Sequence, residues 1–182
     1  MKLRLVISRS RGFTLIELMV VISVAAIMAM IGVPALQGTL NDFRQRGAAA
    51  LLVSDLNLAR AEAIKRNSRV LMCVRNTAGT GCGTSTNWLT GWVICTDSDA
   101  SGGCDSATAS NPNPLVVRPA LDANLTLSVT DAAAAALSVV RFNANATQGA
   151  GNSTATFGLS GSWTGATTST ITVAGTGNVA KH

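Results

Sequence analysis

The longest uninterrupted apolar pattern lies near the start of the chain. Residues 13–31 read FTLIELMVVISVAAIMAMI, and Glu17 is the one charged residue in this run. A helix of about 20 apolar residues is long enough to cross the hydrocarbon core of a bilayer. The pattern therefore predicts a transmembrane helix over residues 13–33.

A second helical pattern follows directly. Apolar residues then recur at spacings of three and four, which is typical of one buried stripe on an amphipathic helix: Ala49, Leu52, Val53, Leu56, Ala59, Ala63 and Ile64. We predict that residues 34–66 continue the first helix. A kink is expected at Pro34, because proline removes one backbone hydrogen bond from a helix.

From residue 67 the pattern changes to short β-forming runs separated by Gly, Asn, Ser and Thr. The predicted strands are Arg69–Arg75, Gly91–Thr96, Leu115–Arg118, Leu125–Val129, Leu137–Phe142, Thr154–Leu159 and Thr170–Ala174. The predicted fold is α+β, with the second half of the long helix packed on a mainly antiparallel sheet. Residues 67–182 then form one globular domain together with about 40–66. Trp163 lies in a Gly/Ser/Thr-rich stretch and is a candidate for exposure to solvent.

The charge distribution gives the apolar run an orientation. The net charge is +5, but the four basic residues before the run account for most of it: Lys2, Arg4, Arg9 and Arg11. The remaining chain carries ten Lys/Arg against nine Asp/Glu, a net charge of +1. Basic residues flanking a membrane helix stay on the cytoplasmic side. We therefore expect the N-terminus in the cytoplasm and the domain beyond the helix outside it.

The four cysteines agree with that location. All follow the apolar run, and an even number of cysteines in an exported domain indicates disulfide bonds. We favour the pairs Cys73–Cys82 and Cys95–Cys104, because each closes a short glycine-containing loop beside a predicted strand. A Cys73–Cys95 bond across two strands is the alternative. A zinc site is not favoured, because no CxxC pair occurs and the one histidine is the terminal His182.

Glu17 separates three interpretations of the apolar run. A secretory signal peptide has a shorter apolar region of about 7–15 residues. A plain membrane anchor would have to bury the carboxylate, at a cost of about 2.5–3.5 kcal/mol on insertion scales. Cleavage between Gly12 and Phe13 would instead give Phe13 a free positive amine. Glu17, one helical turn away, could neutralise that amine or the amine of a neighbouring subunit.

The sequence RGFTLIEL, residues 11–18, resembles the type III signal of type IV pilins and type II secretion pseudopilins. The resemblance implies that a prepilin peptidase removes the leader, residues 1–12, by cutting between Gly12 and Phe13. It also implies N-methylation of Phe13 and a role for Glu17 in docking into a growing filament. The motif lies at the junction of a basic leader and an apolar helix, which makes it specific.

Residues further along resemble the GspH/FimT family of minor pilins and pseudopilins. The matching positions are Leu56, Ala59, Arg60, Glu62, Ala63, Ile64, Arg66, Val70, Cys73, Gly91, Trp92, Val93 and Asp97. The resemblance implies a subunit involved in assembly or tip initiation of a type II secretion pseudopilus or a type IV pilus. The implied partners are other pilin subunits, the prepilin peptidase, the inner-membrane assembly platform and membrane lipid. The implied location is the inner membrane, single-pass, with a periplasmic C-terminal domain.

DNA is the alternative partner, in a minor pilin that acts in DNA uptake. Basic residues recur along the second helical segment and beyond, and the candidate contacts are Arg60, Arg66, Arg69 and Lys181. DNA-binding members of the FimT branch end in a G-R-x-R motif. This chain keeps Gly177 but has Asn178 and Ala180 where the arginines would stand, so DNA binding is not favoured.

An enzyme is not expected. The sequence contains no Ser/His/Asp set, no phosphate-binding loop and no carboxylate pair with suitable spacing. We therefore predict no catalytic residues, no metal and no cofactor.

Overall fold

The computed structural model describes residues 12–109, 111–149 and 154–182. The chain separates into two compact units, one up to Thr39 and the other from Leu40 onward. The predicted leader, apart from Gly12, lies outside the described residues.

One helix, α1, runs from Leu15 to Arg66 and contains 52 residues. Asn67 ends it with a positive φ of 49°, and its N–H donates to the Ile64 carbonyl at 3.1 Å. The next N–H, that of Ser68, reaches back to Ala63 at 3.2 Å. This pair of bonds is a Schellman motif, in which an αL residue satisfies the last carbonyls of a helix. Asparagine tolerates that conformation, so the predicted stop at residue 67 has a local cause.

The first unit presents its apolar side chains to the surroundings. Phe13, Leu15 and Ile16 are 80%, 77% and 67% exposed, and the apolar residues up to Met30 follow the same pattern. The backbone remains helical through position 34. The side chain of Pro34 lies outside the described ones, so the kink stays a prediction. Across the described residues, no helix meets the length and hydropathy needed to cross a membrane.

The second unit contains eight strands in the described residues. They are β1 (Val70–Val74), β2 (Trp92–Thr96), β3 (Val116–Val117), β4 (Leu125–Thr130), β5 (Val139–Phe142), β6 (Ala155–Gly161), β7 (Ser169–Val173) and β8 (Val179–Lys181). A short 3₁₀ helix, Trp88–Thr90, precedes β2. All pairings are antiparallel, in the orders β3-β2-β1-β5 and β4-β6-β7-β8. The predicted single sheet is therefore two four-stranded sheets.

Both sheets contribute to one core beneath the second half of α1. The helix buries a stripe made of Ala49, Leu52, Leu56, Ala59 and Ala63. Trp88 and Phe157 meet edge to face in this core, with ring centroids 5.5 Å apart. Val53 is half-buried, and Ile64 is 54% exposed. The stripe is thus narrower than predicted, because Ile64 lies beyond its edge near the end of the helix.

The α+β prediction is confirmed, with two differences in detail. Strand β8 was not predicted, because Val179–Lys181 is too short to form a recognisable alternation. Trp163 is not free in solvent. It is half-buried against the core, and its Nε1 donates to Asp42 at 3.2 Å.

Candidate functional site

The predicted processing junction lies just before the start of α1. Gly12, Phe13 and Thr14 are outside the helix and exposed. The Thr14 hydroxyl accepts a hydrogen bond of 3.3 Å from the Glu17 N–H, as an N-cap residue does. The order Thr-x-x-Glu is that of a capping box, a signal that the sequence analysis did not use. The cap keeps the Gly12–Phe13 bond outside the helix.

Glu17 therefore has a local role as well as its predicted one. It is exposed in the first turn of α1, where a negative charge is stabilised by the helix dipole. A β-carbon added to Gly12 would meet no atom within 4 Å. The described structure therefore imposes no steric requirement for glycine at position 12.

A buried polar network joins α1 to the first sheet. Asp55 is 1% exposed and lies within the buried stripe of the helix. Its carboxylate accepts from Arg118 Nε and Nη2, both at 2.8 Å, and from Trp92 Nε1 at 2.9 Å. The hydrogen bonds to Asp55 raise the pKa of Arg118. A bidentate pair of this kind fixes geometry as well as charge.

The four cysteines form two disulfide bonds, Cys73–Cys82 and Cys95–Cys104. This is the pairing favoured from the sequence. Cys73 and Cys95 lie on β1 and β2, on the face that points away from α1. With Leu71 and Val93 they form a second, smaller apolar cluster.

An acidic group lies at the end of β2. Asp97, Asp99 and Asp105 have carboxylate oxygens within 4.8 Å of one another, the separation at which a cation could be shared. Asp97 is fully buried and accepts from Arg69, Ser101 and the Gly102 N–H. A hydrogen bond from the Ser101 N–H lowers the pKa of Asp99. Asp97 is thus paired within the chain, and its hydrogen bonds hold the loop after β2 at the end of the strand.

Two of the candidates for DNA contact, Arg66 and Arg69, are engaged within the chain. Arg66 donates to Glu62 at 2.6 Å and to Asn111 at 2.7 Å. Arg69 pairs with buried Asp97 at 3.2 Å. Arg60 has its Nε buried, with no hydrogen-bond partner among the described residues. Side chains held in this way present less charge to a phosphate backbone than free ones would.

Lys181 lies elsewhere, in a polar cleft of about 270 Å³ that we call the tail cleft. Its lining residues are Asp42, Gln45, Arg46, Gly165, Thr167, Ser169 and Lys181. Gln45 is nearly buried there and donates to the carbonyls of Leu159 and Thr167. Lys181 and Arg46 thus line the same cleft. Arg60, Arg66 and Arg69 do not line the tail cleft.

Gly177 holds the turn that leads into β8. Its φ is +74°, and an added β-carbon would lie 1.8 Å from the Ala146 carbonyl oxygen. Only glycine fits both the backbone conformation and that close approach. Gly177 therefore positions the strand that carries Lys181.

The sequence analysis missed Asp55 and Arg118 as partners. The sequence predicts Arg118 only as the end of a strand, and it assigns no partner to Asp55. A charged residue inside an apolar helical stripe was the available signal, because a buried charge needs a partner. The position of that partner, 63 residues further along, could not be deduced.

Comparisons with known proteins agree with this architecture. Residues 48–177 match the family described as type II transport protein GspH, and residues 7–33 match the prokaryotic N-terminal methylation motif. No curated protein matches the chain.

Two crystal structures of the type IV minor pilin FimU from Pseudomonas aeruginosa (strain PAO1) share the fold. One, in space group P21, has a TM-score of 0.55 at 19% identity and covers 78% of this chain and 90% of FimU. The other, in space group P65, has a TM-score of 0.52 at 19% identity and covers 75% and 91%. Since the GspH match spans more than half of the residues, the chain belongs to the GspH family of type IV pilin-like minor pilins and pseudopilins.

Proposed function

We propose that the protein is a minor subunit that takes part in assembly or tip initiation of a type II secretion pseudopilus or type IV pilus. The observation that carries the proposal is the capped, exposed start of α1. Gly12 and Phe13 precede the helix, Glu17 lies in its first turn, and apolar side chains follow in an exposed run. An isolated soluble domain has no use for such a surface.

The proposal gives each part of this segment a role. A prepilin peptidase cuts between Gly12 and Phe13, and the new amine of Phe13 is methylated. Residues 13–33 hold the subunit in the inner membrane until it enters the filament, with the β-rich domain in the periplasm. Glu17 then meets the amine of Phe13 in the same or a neighbouring subunit. Opposite charges within apolar surroundings attract strongly, so the contact selects the docked position.

The experiment compares Glu17→Ala with Thr14→Ala in the full-length protein. Both variants weaken the start of α1, but only the first removes the carboxylate. We expect both proteins to be inserted and cut, with N-terminal sequencing starting at Phe13. Glu17→Ala should fail to co-purify with filaments or other minor subunits, whereas Thr14→Ala should still co-purify.

Three results would contradict the proposal or its docking role. A mature N-terminus beyond Ala25 would indicate an ordinary signal peptide. Normal co-purification of Glu17→Ala would remove the docking role. Loss of co-purification by both variants would assign the effect to helix capping rather than to charge.

DNA uptake is the second candidate, and the tail cleft is the observation that favours it. Arg46 and Lys181 line one polar concavity, and both are exposed. Two cations can contact one or two phosphates but supply little more. The engagement of Arg66 and Arg69 in ion pairs makes this candidate the weaker one.

A further inference from the structure

Four sulfur atoms from separate parts of the chain meet on the outer face of the first sheet. Cys73 and Cys95 are fully buried strand residues, and Cys82 and Cys104 are half-buried residues of the connecting loops. All four Sγ atoms lie within 4.8 Å of one another. The Sγ atoms of Cys82 and Cys104, which belong to different disulfides, are 3.8 Å apart.

This spacing is close to that of a tetrathiolate metal site. Zinc binds thiolates at about 2.3 Å in a tetrahedron, which places neighbouring sulfurs about 3.8 Å apart. The contact between Cys82 and Cys104 already has this length. After reduction, each formerly bonded pair would need only to separate to the same distance. Cys82 and Cys104 lie outside the regular strands, so side-chain rotation and small loop shifts can supply that movement.

We propose that the reduced protein binds one zinc-class divalent cation through Cys73, Cys82, Cys95 and Cys104. The sequence disfavoured zinc because it lacks a CxxC pair. The antiparallel pairing of β1 with β2 brings the two strand cysteines close together, although they are far apart in the sequence. Leu71 lies opposite Cys95, and Cys73 lies opposite Val93. The loop after each strand then brings a second cysteine, nine residues further along, next to the strand cysteine.

Opening of the site needs only a reductant and water. Two equivalents of a phosphine deliver four electrons, and two water molecules supply four protons, so that the two disulfides become four thiols and the phosphine leaves as two equivalents of phosphine oxide. Binding of the cation releases those four protons, because the thiolate is the ligand form of cysteine. Soft sulfur ligands favour zinc over magnesium or calcium. The same four positions are thus held either by two covalent bonds or by one metal ion.

The surroundings of the sulfurs suit a closed, structural site. Leu71, Val93 and Val139 pack against them and limit access of water. The one histidine, His182, lies beside Thr172 of the second sheet and is not part of the cluster. A closed tetrahedral S4 set is the arrangement of structural zinc sites.

The test is an anaerobic titration of the full-length, detergent-solubilised protein with Co²⁺. The protein is reduced with a phosphine and freed of it before metal is added. We expect one equivalent to bind, with the visible absorption of a tetrahedral cobalt tetrathiolate, and Zn²⁺ to displace it. The oxidised protein should show no such absorption. Near-UV circular dichroism of the buried tryptophans Trp88 and Trp92 should match that of the oxidised protein.

Two variants separate a native site from random thiol binding. Cys82→Ser should weaken cobalt binding by more than about 100-fold, since loss of a side chain that only hydrogen-bonds to a metal ligand already costs about 10–100-fold. Cys82→Ser/Cys104→Ser leaves the two strand cysteines and should lose the tetrathiolate spectrum. Absence of the spectrum in the reduced parent protein would overturn the proposal. Cobalt binding without the native dichroism, or undiminished binding by Cys82→Ser, would overturn it as well.

Discussion

Arg118 donates two parallel hydrogen bonds to Asp55, from Nε to Oδ2 and from Nη2 to Oδ1, each 2.8 Å long. Asp55 is buried in the helix stripe, and the side chain of Arg118 is 34% exposed. Trp92 Nε1 donates a third hydrogen bond to the carboxylate, at 2.9 Å. The pair connects the long helix to the segment that follows β3.

Removal of Asp55 should destabilise the domain strongly. In Asp55→Ala, Arg118 and the Trp92 N–H both lose their acceptor. Breaking a buried pair costs about 3–5 kcal/mol, and the partial exposure of Arg118 places the expected loss near the lower figure. Urea unfolding of the detergent-solubilised protein, followed by tryptophan fluorescence, measures it. Asp55→Asn keeps one acceptor oxygen and should lose less. Equal losses in the two variants would contradict this account.

Gly177 and Gly165 form a matched pair for a test of the turn before β8. Both have positive φ, +74° and +85°, but an added β-carbon clashes with Ala146 only at Gly177. Gly165→Ala should cost about 1–2 kcal/mol, which is the cost of the αL conformation alone. Gly177→Ala should cost clearly more and should speed hydrogen exchange in Val179–Lys181. Similar losses of unfolding free energy in both variants would show that the backbone shifts and removes the clash between the added β-carbon and Ala146.

Glu62 makes a pH-dependent contribution to the free energy of unfolding. Its hydrogen bond with Arg66 is the main cause that lowers its pKa, and Lys65 adds to the effect. A lowered pKa stabilises the fold above the unfolded value of about 4.3, and this stability is lost as the pH falls through the folded pKa. Glu62→Gln should therefore lower the unfolding free energy at pH 7 by about 0.3–0.5 kcal/mol and have no effect well below pH 4. Arg66→Met should raise the pKa of Glu62 more than Lys65→Met does. A larger rise in Lys65→Met would contradict the ranking.

DNA binding should be weak and confined to low salt. Each phosphate contact adds about 0.9 to the slope of log affinity against log salt, so Arg46 and Lys181 together predict a slope near two. A titration of the full-length protein with duplex DNA at two salt concentrations measures it. Lys181→Ala should lower the slope, whereas Lys65→Ala, which removes an exposed charge paired with Glu62, should not. Micromolar or tighter binding at physiological salt would promote the DNA-uptake function above assembly.

The sequence predicted the parts of this molecule that have a local cause. The apolar run, the helical stripe and the loop cysteines are each indicated by patterns within about 20 residues. The strands predicted from short β-forming runs lie close to those observed. The division into two sheets and the Asp55–Arg118 pair depend on contacts between distant residues. Periodicity carries no information on such contacts. The proximity of all four sulfurs has the same origin, because it depends on the register of β1 and β2.

The hydrogen bonds of Gln45 and Asp55 have a mechanical consequence. Apolar side chains tolerate sliding of a helix by a fraction of a turn, but a buried amide and a buried carboxylate have fixed partners on the sheets. The two residues are ten positions apart, about 15 Å along the helix axis. A pull on the helix along its axis would therefore load both contacts in shear at once. Force applied to α1 would therefore act on these directional contacts as well as on the apolar stripe between them.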